Sequence, residues 1–377
     1  MHRPHAPTPA RRPRAFLPRL SLGAAIALTA STHSFAVVIP PPPPPTQSDP
    51  CSESGSSSQD NKCPATSNSG FNQAVTSQGT TQIGGIVSGA AGNFGSQLNG
   101  GTALGAGSSR FALSGDTGKA AAGMGEKWNA WFALSQNRIG YSFAPLQSGG
   151  HVDVAIGGID YTYNNTLILG AALSGERMRV ATSFNGGNLS GDGNTFAPYL
   201  AWAINRNWVL DAALGFGSTD LTIDVGGGVS GKTRDKRAFG SLGLSYMRAM
   251  GKWQLTGKGQ ILAAEDRIGS YTQSNNTAIA GTTSRLTQLR FGGQAAYNFG
   301  GGVVPWFGLT YIYDADRGNQ TPVAGQNAAN DRDAILVQAG LNIQSKGRLY
   351  GGITLSSEQS RRQVKNDQVL LNIGIRF

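Results

Sequence analysis

Residues 368–377 read QVLLNIGIRF, with Val369, Leu371, Ile373, Ile375 and Phe377 on one parity and Gln368, Asn372, Gly374 and Arg376 on the other. A side-chain period of two belongs to an extended strand with one apolar and one polar face. The same alternation recurs upstream. Ile335, Val337, Ala339, Leu341 and Ile343 alternate with Gln338, Gly340 and Asn342. Leu289, Phe291, Ala295, Tyr297 and Phe299 alternate with Arg290, Gly292, Gln294 and Asn298, and Trp253, Leu255 and Ile261 with Gln254, Thr256, Lys258 and Gln260. Working back to Lys127, the pattern predicts about twelve strands: 127–139, 151–163, 166–179, 193–204, 207–225, 232–250, 251–266, 282–299, 303–314, 331–343, 347–361 and 364–377.

The connections alternate in length. Tight turns are predicted at Asn164-Asn165, Asn205-Arg206, Met250-Gly251, Gly300–Gly302 and Gln344–Lys346, and longer loops near 140–150, 180–192, 226–231, 267–281 and 315–330, with a short one near 362. Short turns at one end and long loops at the other are the pattern of a transmembrane β-barrel. Lipid offers no partner to a backbone N–H or C=O, so a sheet in a bilayer must close on itself. A soluble β-sandwich would alternate as well, but twelve meandering strands behind a secretory leader favour the barrel. The predicted fold class is all-β: a membrane-spanning antiparallel β-barrel of about 12 strands with an N-terminal helix in the lumen.

Composition agrees. Of 377 residues 54 are Gly, roughly double the usual ~7%, which calls for much bare backbone. Only 14% of residues are charged and 39% hydrophobic. A membrane-spanning helix needs about 20 mainly apolar residues, and no such run follows position 36. The 15 Phe, 10 Tyr and 6 Trp fall almost wholly in the C-terminal two-thirds, which excludes disorder throughout.

Residues 1–36 carry Arg3, Arg11, Arg12, Arg14 and Arg19, an uncharged stretch from Leu20 to Ala30, and then Ser34-Phe35-Ala36, the charge, length and cleavage chemistry of a signal peptide. Removing those five arginines from the 31 basic residues leaves 26 against 21 acidic, a net of about +5. The basic balance is thus largely an export signal, and no nucleic-acid partner is expected. Residues 37–70 form a Pro/Ser-rich tail opening with Pro40–Pro45, a composition that favours extended polyproline and buries little. Cys51 and Cys63 lie 12 apart in it; in an oxidising compartment they are most simply a disulfide loop, and two Cys without nearby His complete no zinc site. Residues 71–126 are assigned to a lumen helix and linker. Within 71–98, Val75, Ile83, Ile86, Val87, Ala90 and Phe94 recur at spacings near three and four, yet Gly79, Gly84, Gly85, Gly89 and Gly92 interrupt them. Each such Gly costs ~1 kcal/mol against Ala, so the helix is predicted to form only inside something. Residues 127–377 are the barrel.

The strand count, the opening GEKWNAWFALS at 125–135 and the ending LLNIGIRF at 370–377 together resemble the autotransporter β-domain family. The resemblance covers 127–377. It implies an outer-membrane location in a Gram-negative bacterium, outer-membrane lipid as surroundings, and the barrel assembly machinery and periplasmic chaperones as partners. Leu371, Ile373, Ile375 and Phe377 would be the assembly signal. It also implies a helix threading the barrel before strand 1, a role for which 71–98 is placed, and whose glycines suit a narrow lumen because an ordinary helix is about 10–12 Å across. The departure is upstream: family passengers run to hundreds of residues, whereas about 35 lie between Val37 and Gly70 here, so no passenger activity carries over.

No enzyme is predicted, and no cofactor or metal. With His2, His5 and His33 in the leader, His151 is the one histidine left for chemistry, and its plain reading is a solvated loop residue. Asp160, Asp211, Glu176, Glu265 and Asp266 fall on different strands, so spacing proposes no carboxylate pair. Gly115–Ala120 lacks the first Gly and the Ser or Thr of a phosphate loop. The polar parity would face the lumen: Asp211, Lys258, Gln260, Arg290, Gln294, Gln338, Asn342, Asn372 and Arg376. These form either a bed for a helix or a selectivity surface for solutes. The leading functional expectation is therefore a barrel that translocates or displays its own short N-terminal segment, its tail at the cell surface or in the periplasm. The alternatives are a porin-like channel plugged by that segment, or a surface adhesin acting through the long loops.

Overall fold

In the computed structural model the described residues are 83–87, 127–143, 146–164, 166–300, 302–317, 331–344 and 348–377. The chain divides into two units, Met1–Ser57, outside the described residues, and Ser58–Phe377. The second unit carries fourteen strands: β1 Trp128–Tyr141, β2 Ser148–Asn164, β3 Leu167–Thr182, β4 Gly187–Ala203, β5 Trp208–Asp224, β6 Ser230–Met250, β7 Trp253–Ile268, β8 Tyr271–Thr272, β9 Ala278–Ile279, β10 Thr282–Tyr297, β11 Val303–Arg317, β12 Asp333–Gln344, β13 Leu349–Gln359 and β14 Val364–Arg376. Twelve of them close into one antiparallel barrel in which each strand pairs with its sequence neighbours, while β8 and β9 form a separate hairpin in the loop between β7 and β10. Closure is made by β14 on β1, in register from Asn129 opposite Arg376 to Tyr141 opposite Val364. Backbone hydrogen bonds of 3.0 Å run both ways between Trp128 and Phe377, so the first and last strands end at the same rim.

Lipid-facing and interior residues alternate as a barrel requires. On β14 the outward Val369, Leu371, Ile373, Ile375 and Phe377 are 41–55% exposed, whereas Leu370 is fully buried. At the turn end, cross-strand ring pairs meet at a tilt outside the wall: Trp128 and Tyr161 with ring centroids 4.8 Å apart, Trp208 and Tyr246 at 5.0 Å and Trp253 and Tyr297 at 4.9 Å. Such rings, apolar in body and polar at the tip, mark a membrane–water interface.

The excess of glycine has a specific use inside the wall. Trp131 lies opposite Gly158, Tyr199 opposite Gly170, Phe239 opposite Gly215, Trp306 opposite Gly340 and Tyr350 opposite Gly374. A Cβ on any of these glycines would overlap the facing ring. Each interior aromatic therefore lies flat over bare backbone. A methyl group added at Gly374 forces the Tyr350 ring away, an overpacking of the kind that costs about 1–3 kcal/mol.

Two local features differ from the sequence pattern. The stretch 180–192, read as a long loop because it is rich in Gly, Asn and Ser, is mostly strand: β3 runs to Thr182, β4 begins at Gly187, and the ladder pairs Thr182 with Gly187. Backbone hydrogen bonding to a neighbour overrides weak local propensity there. Pro198 sits within β4, and the β4–β5 register skips from Phe196–Phe216 to Tyr199–Ala213 around it, because proline has no N–H to give.

Candidate functional site in the lumen

Residues 83–87, IGGIV, form a helical turn inside the barrel. Ile83, Ile86 and Val87 fall on one face by their spacing and are 0–1% exposed, joining the same buried cluster as the interior wall residues. The two glycines let backbone approach the wall: a Cβ on Gly84 would stand 3.0 Å from Leu262 Cδ1 and 3.2 Å from Phe239 Cδ2, and one on Gly85 would stand 3.5 Å from Arg290 Nη1. The turn thus lies against β6, β7 and β10. The remainder of 71–98, with Val75, Ala90 and Phe94, lies outside the described residues, as do Cys51 and Cys63.

Further toward the loop end on β6 and β7 is a fully buried charge cluster. The guanidinium of Arg237 donates to Glu176 Oε2 at 2.6 Å and to Asp235 Oδ2 at 3.2 Å, and its Nε is 3.7 Å from Asp266 Oδ1. Every side chain in the cluster is 3% exposed or less. Glu176 also accepts from Thr219 Oγ1 at 2.7 Å, and Gly193 on β4 leaves the space that Glu176 and Thr219 fill. Among the described residues one guanidinium is thus shared by three carboxylates.

Elsewhere two groups of interior charges pair directly. Lys258 on β7 pairs with Asp211 on β5 at 3.0 Å, and Gly243 on the strand between them has no side chain to block the pair. Arg361 grips Asp314 through two nitrogens at 2.7 and 3.0 Å and Glu358 at 2.5 Å. Gln288 donates to Asp314 at 2.8 Å and accepts from Arg290 Nη2 at 2.7 Å. A continuous polar chain therefore connects the Arg290 beside Gly85 with the loop end. There Arg362 holds Asp331 through side-chain and backbone donors, and this bonding keeps the Asp331 carboxyl below its ordinary range. Near the turn end, Tyr350 donates to Asn129, Asn129 and Tyr199 donate to Asp160, and Trp131 donates to Tyr199, all within 2.7–3.0 Å.

The residues singled out from sequence divide by environment. Asp211, Gln338 and Asn342 are 0–3% exposed, and Lys258, Gln260, Arg290, Gln294, Asn372 and Arg376 are partly buried on the same interior parity. Lys258 meets Asp211, Arg290 meets Gln288, and the Arg376 guanidinium lies 5.3 Å from the Tyr350 ring centre. Glu176 and Asp266, on strands far apart in sequence, share Arg237, whereas Glu265 faces outward to Arg267 and Arg285. Sequence reading passed over Arg237 and Asp235 because KTRDKR at 232–237 charges both parities. Counting back from the outward Leu242 and Leu244 would have placed both inside. His151 is on β2 itself, 42% exposed, 3.7 Å from Asp153 and between Arg138 and Arg179 across the strands. Among the described residues, no group of His, Cys, Asp or Glu could hold a metal ion.

The family model of the autotransporter β-domain matches residues 135–356. The translocator domain of the autotransporter NalP from Neisseria meningitidis superposes with a TM-score of 0.56 at 13% identity, covering 68% of this chain and 90% of that one. The β domain of the Bordetella autotransporter BrkA gives 0.57 at 14% identity, covering 67% and 100%. At these identities the likeness is one of fold. No curated protein matches the chain.

Proposed function

The chain belongs to the autotransporter β-domain family and is an outer-membrane β-barrel of the autotransporter type from a Gram-negative bacterium; from that premise we propose that it carries its own N-terminal segment through the lumen and displays it at the cell surface. In this reading residues 1–36 are a leader removed on export, 37–70 the displayed tail with a Cys51–Cys63 loop, and 71–126 the lumen helix and its linker to β1. The observation that supports it is the turn at 83–87, whose Ile83, Ile86 and Val87 are buried against the interior wall. A five-residue turn rich in glycine has no stability of its own in water. The wall provides what the sequence lacks.

A synthetic 71–98 peptide should be unstructured in water. In the intact protein the amides of 83–87 should be protected from exchange, and deleting 71–98 should raise single-channel conductance in planar bilayers. Unchanged conductance together with free exchange would make the segment a periplasmic tail and favour a plugged or open channel over a translocator. The reading assigns the barrel a transport role and no catalytic one.

Assembly follows from the same premise. The outward residues of β14, closing with Phe377 against Trp128, are proposed as the stretch that the barrel assembly machinery grips after periplasmic chaperones deliver the chain. Phe377→Ala should lower the amount of heat-modifiable barrel in the outer membrane while export across the inner membrane stays intact. Normal levels of folded barrel in that variant would refute the assignment.

A further inference from the structure

We propose that the outer face of β14, β1 and β2 near the loop end binds one phosphate-bearing lipid, its headgroup on Arg138 and Lys365 and its acyl chain in the apolar groove beneath. The headgroup part is a groove of about 780 Å³ lined by Arg138, His151 and Lys365, with Gly140, Gly149 and Gly150 leaving the backbone bare. Its one carboxylate, Asp367, stands opposite Arg138 in the β1–β14 register and accepts a hydrogen bond from Ser357 Oγ. Among the described residues neither Arg138 nor Lys365 has an ion-pair partner, nor does Arg179 on the next strand. One step toward the membrane the balance is different: Gln136 donates to the Asp153 carboxylate at 3.0 Å, and Arg177 pairs with Asp192 at 2.9 Å, so that row carries no cation in excess. Arg138, Lys365 and Arg179 against the single carboxylate of Asp367 leave the upper row net positive.

Height selects a lipid as the source of the phosphate. Arg138 is ten residues along β1 from Trp128 of the aromatic rim. At ~3.3 Å per residue and a strand tilt of ~40°, that is about 25 Å, the height of the apolar band of such barrels. Arg138 therefore stands where the apolar band gives way to headgroups on the loop side. Directly below, a second groove of about 680 Å³ shares Gln136 with the first; Asp153, Arg177 and Asp192 edge it on the loop side, and Leu134, Ala155, Gly175, Val369 and Leu371 line its apolar part. No side chain fills it at Gly175, where a Cβ would meet nothing within 4 Å. A cationic groove opening onto an apolar one, at the membrane edge and on the lipid-facing parity, matches a phosphate joined to an acyl chain.

The test uses the full chain in bilayer nanodiscs and native mass spectrometry, with phosphatidic acid and diacylglycerol of the same acyl chains as probes. The wild type should retain phosphatidic acid but not diacylglycerol, and millimolar inorganic phosphate should not displace it. Since each basic residue near an anionic lipid surface contributes about 1 kcal/mol, roughly fivefold, reversing both charges in Arg138→Glu/Lys365→Glu should cut retention at least about tenfold. Arg206→Glu, at the turn end, should leave it unchanged. Equal retention of the two lipids by the wild type, displacement by inorganic phosphate, or undiminished retention by the folded double variant would each overturn the proposal. The first two results do not depend on any variant folding.

Discussion

Replacing Arg237 by methionine is expected to destabilise the barrel by about 3–5 kcal/mol, the largest effect of any single substitution considered. The side chain is 1% exposed and its guanidinium is the shared partner of Glu176, Asp235 and Asp266. Removing one member of a buried ion cluster leaves the others desolvated and uncompensated, and the cost is theirs rather than that of the lost contact. Glu176, Asp235 and Asp266, on β3, β6 and β7, then all lose the cation they share. The check is equilibrium unfolding in urea from lipid vesicles, with a decisive companion. If Glu176→Gln, Asp235→Asn and Asp266→Asn are combined with Arg237→Met, most of the lost stability should return, because neutral amides tolerate burial better than unpaired carboxylates. A loss below about 1 kcal/mol for Arg237→Met would mean that the cluster is solvated and not structural.

Leu371→Arg and Ile373→Arg should each cost roughly 2–4 kcal/mol, the penalty for a cation near the bilayer midplane. Leu371 is 49% and Ile373 55% exposed on the outer wall. Leu371 lies six residues from Phe377, which at ~3.3 Å per residue and ~40° of tilt is about 15 Å above the rim, close to mid-membrane. Asn372 between them belongs to the interior parity, opposite Ala133 and Gly352. Asn372→Arg should therefore cost less than about 1 kcal/mol, as lumen substitutions tune the interior without meeting lipid. The same vesicle unfolding series reads all three. A barrel that accepted arginine at 371 and 373 but failed with it at 372 would have its two faces reversed.

Period two in 368–377 and its eleven recurrences carried the fold, since along a lipid-embedded strand lipid-facing and interior side chains alternate. Loop boundaries were less legible. Asn, Gly and Ser around 183–194 resemble turn chemistry, yet cross-strand hydrogen bonds to β3 hold most of them in β4. Interior function was legible by parity but not by contact. Asp211 and Lys258 both read as lumen-facing, whereas their meeting over Gly243 depends on the register of three strands. The glycine excess announced a need for bare backbone, but that Gly374 serves Tyr350 and Gly215 serves Phe239 follows only from which residues stand opposite. Glu176 and Arg237 lie 61 residues apart, a pairing that no local pattern encodes.

Surface accessibility of the tail tests the central claim most directly. An epitope placed within residues 46–65 of the otherwise unaltered chain is probed with antibody on intact cells and again after the outer membrane is permeabilised, with folded barrel verified in the outer membrane in both cases. Transport of the N-terminal segment through the lumen predicts equal labelling before and after permeabilisation. Labelling that appears only after permeabilisation, with the barrel correctly assembled, would leave the segment in the periplasm and contradict the account.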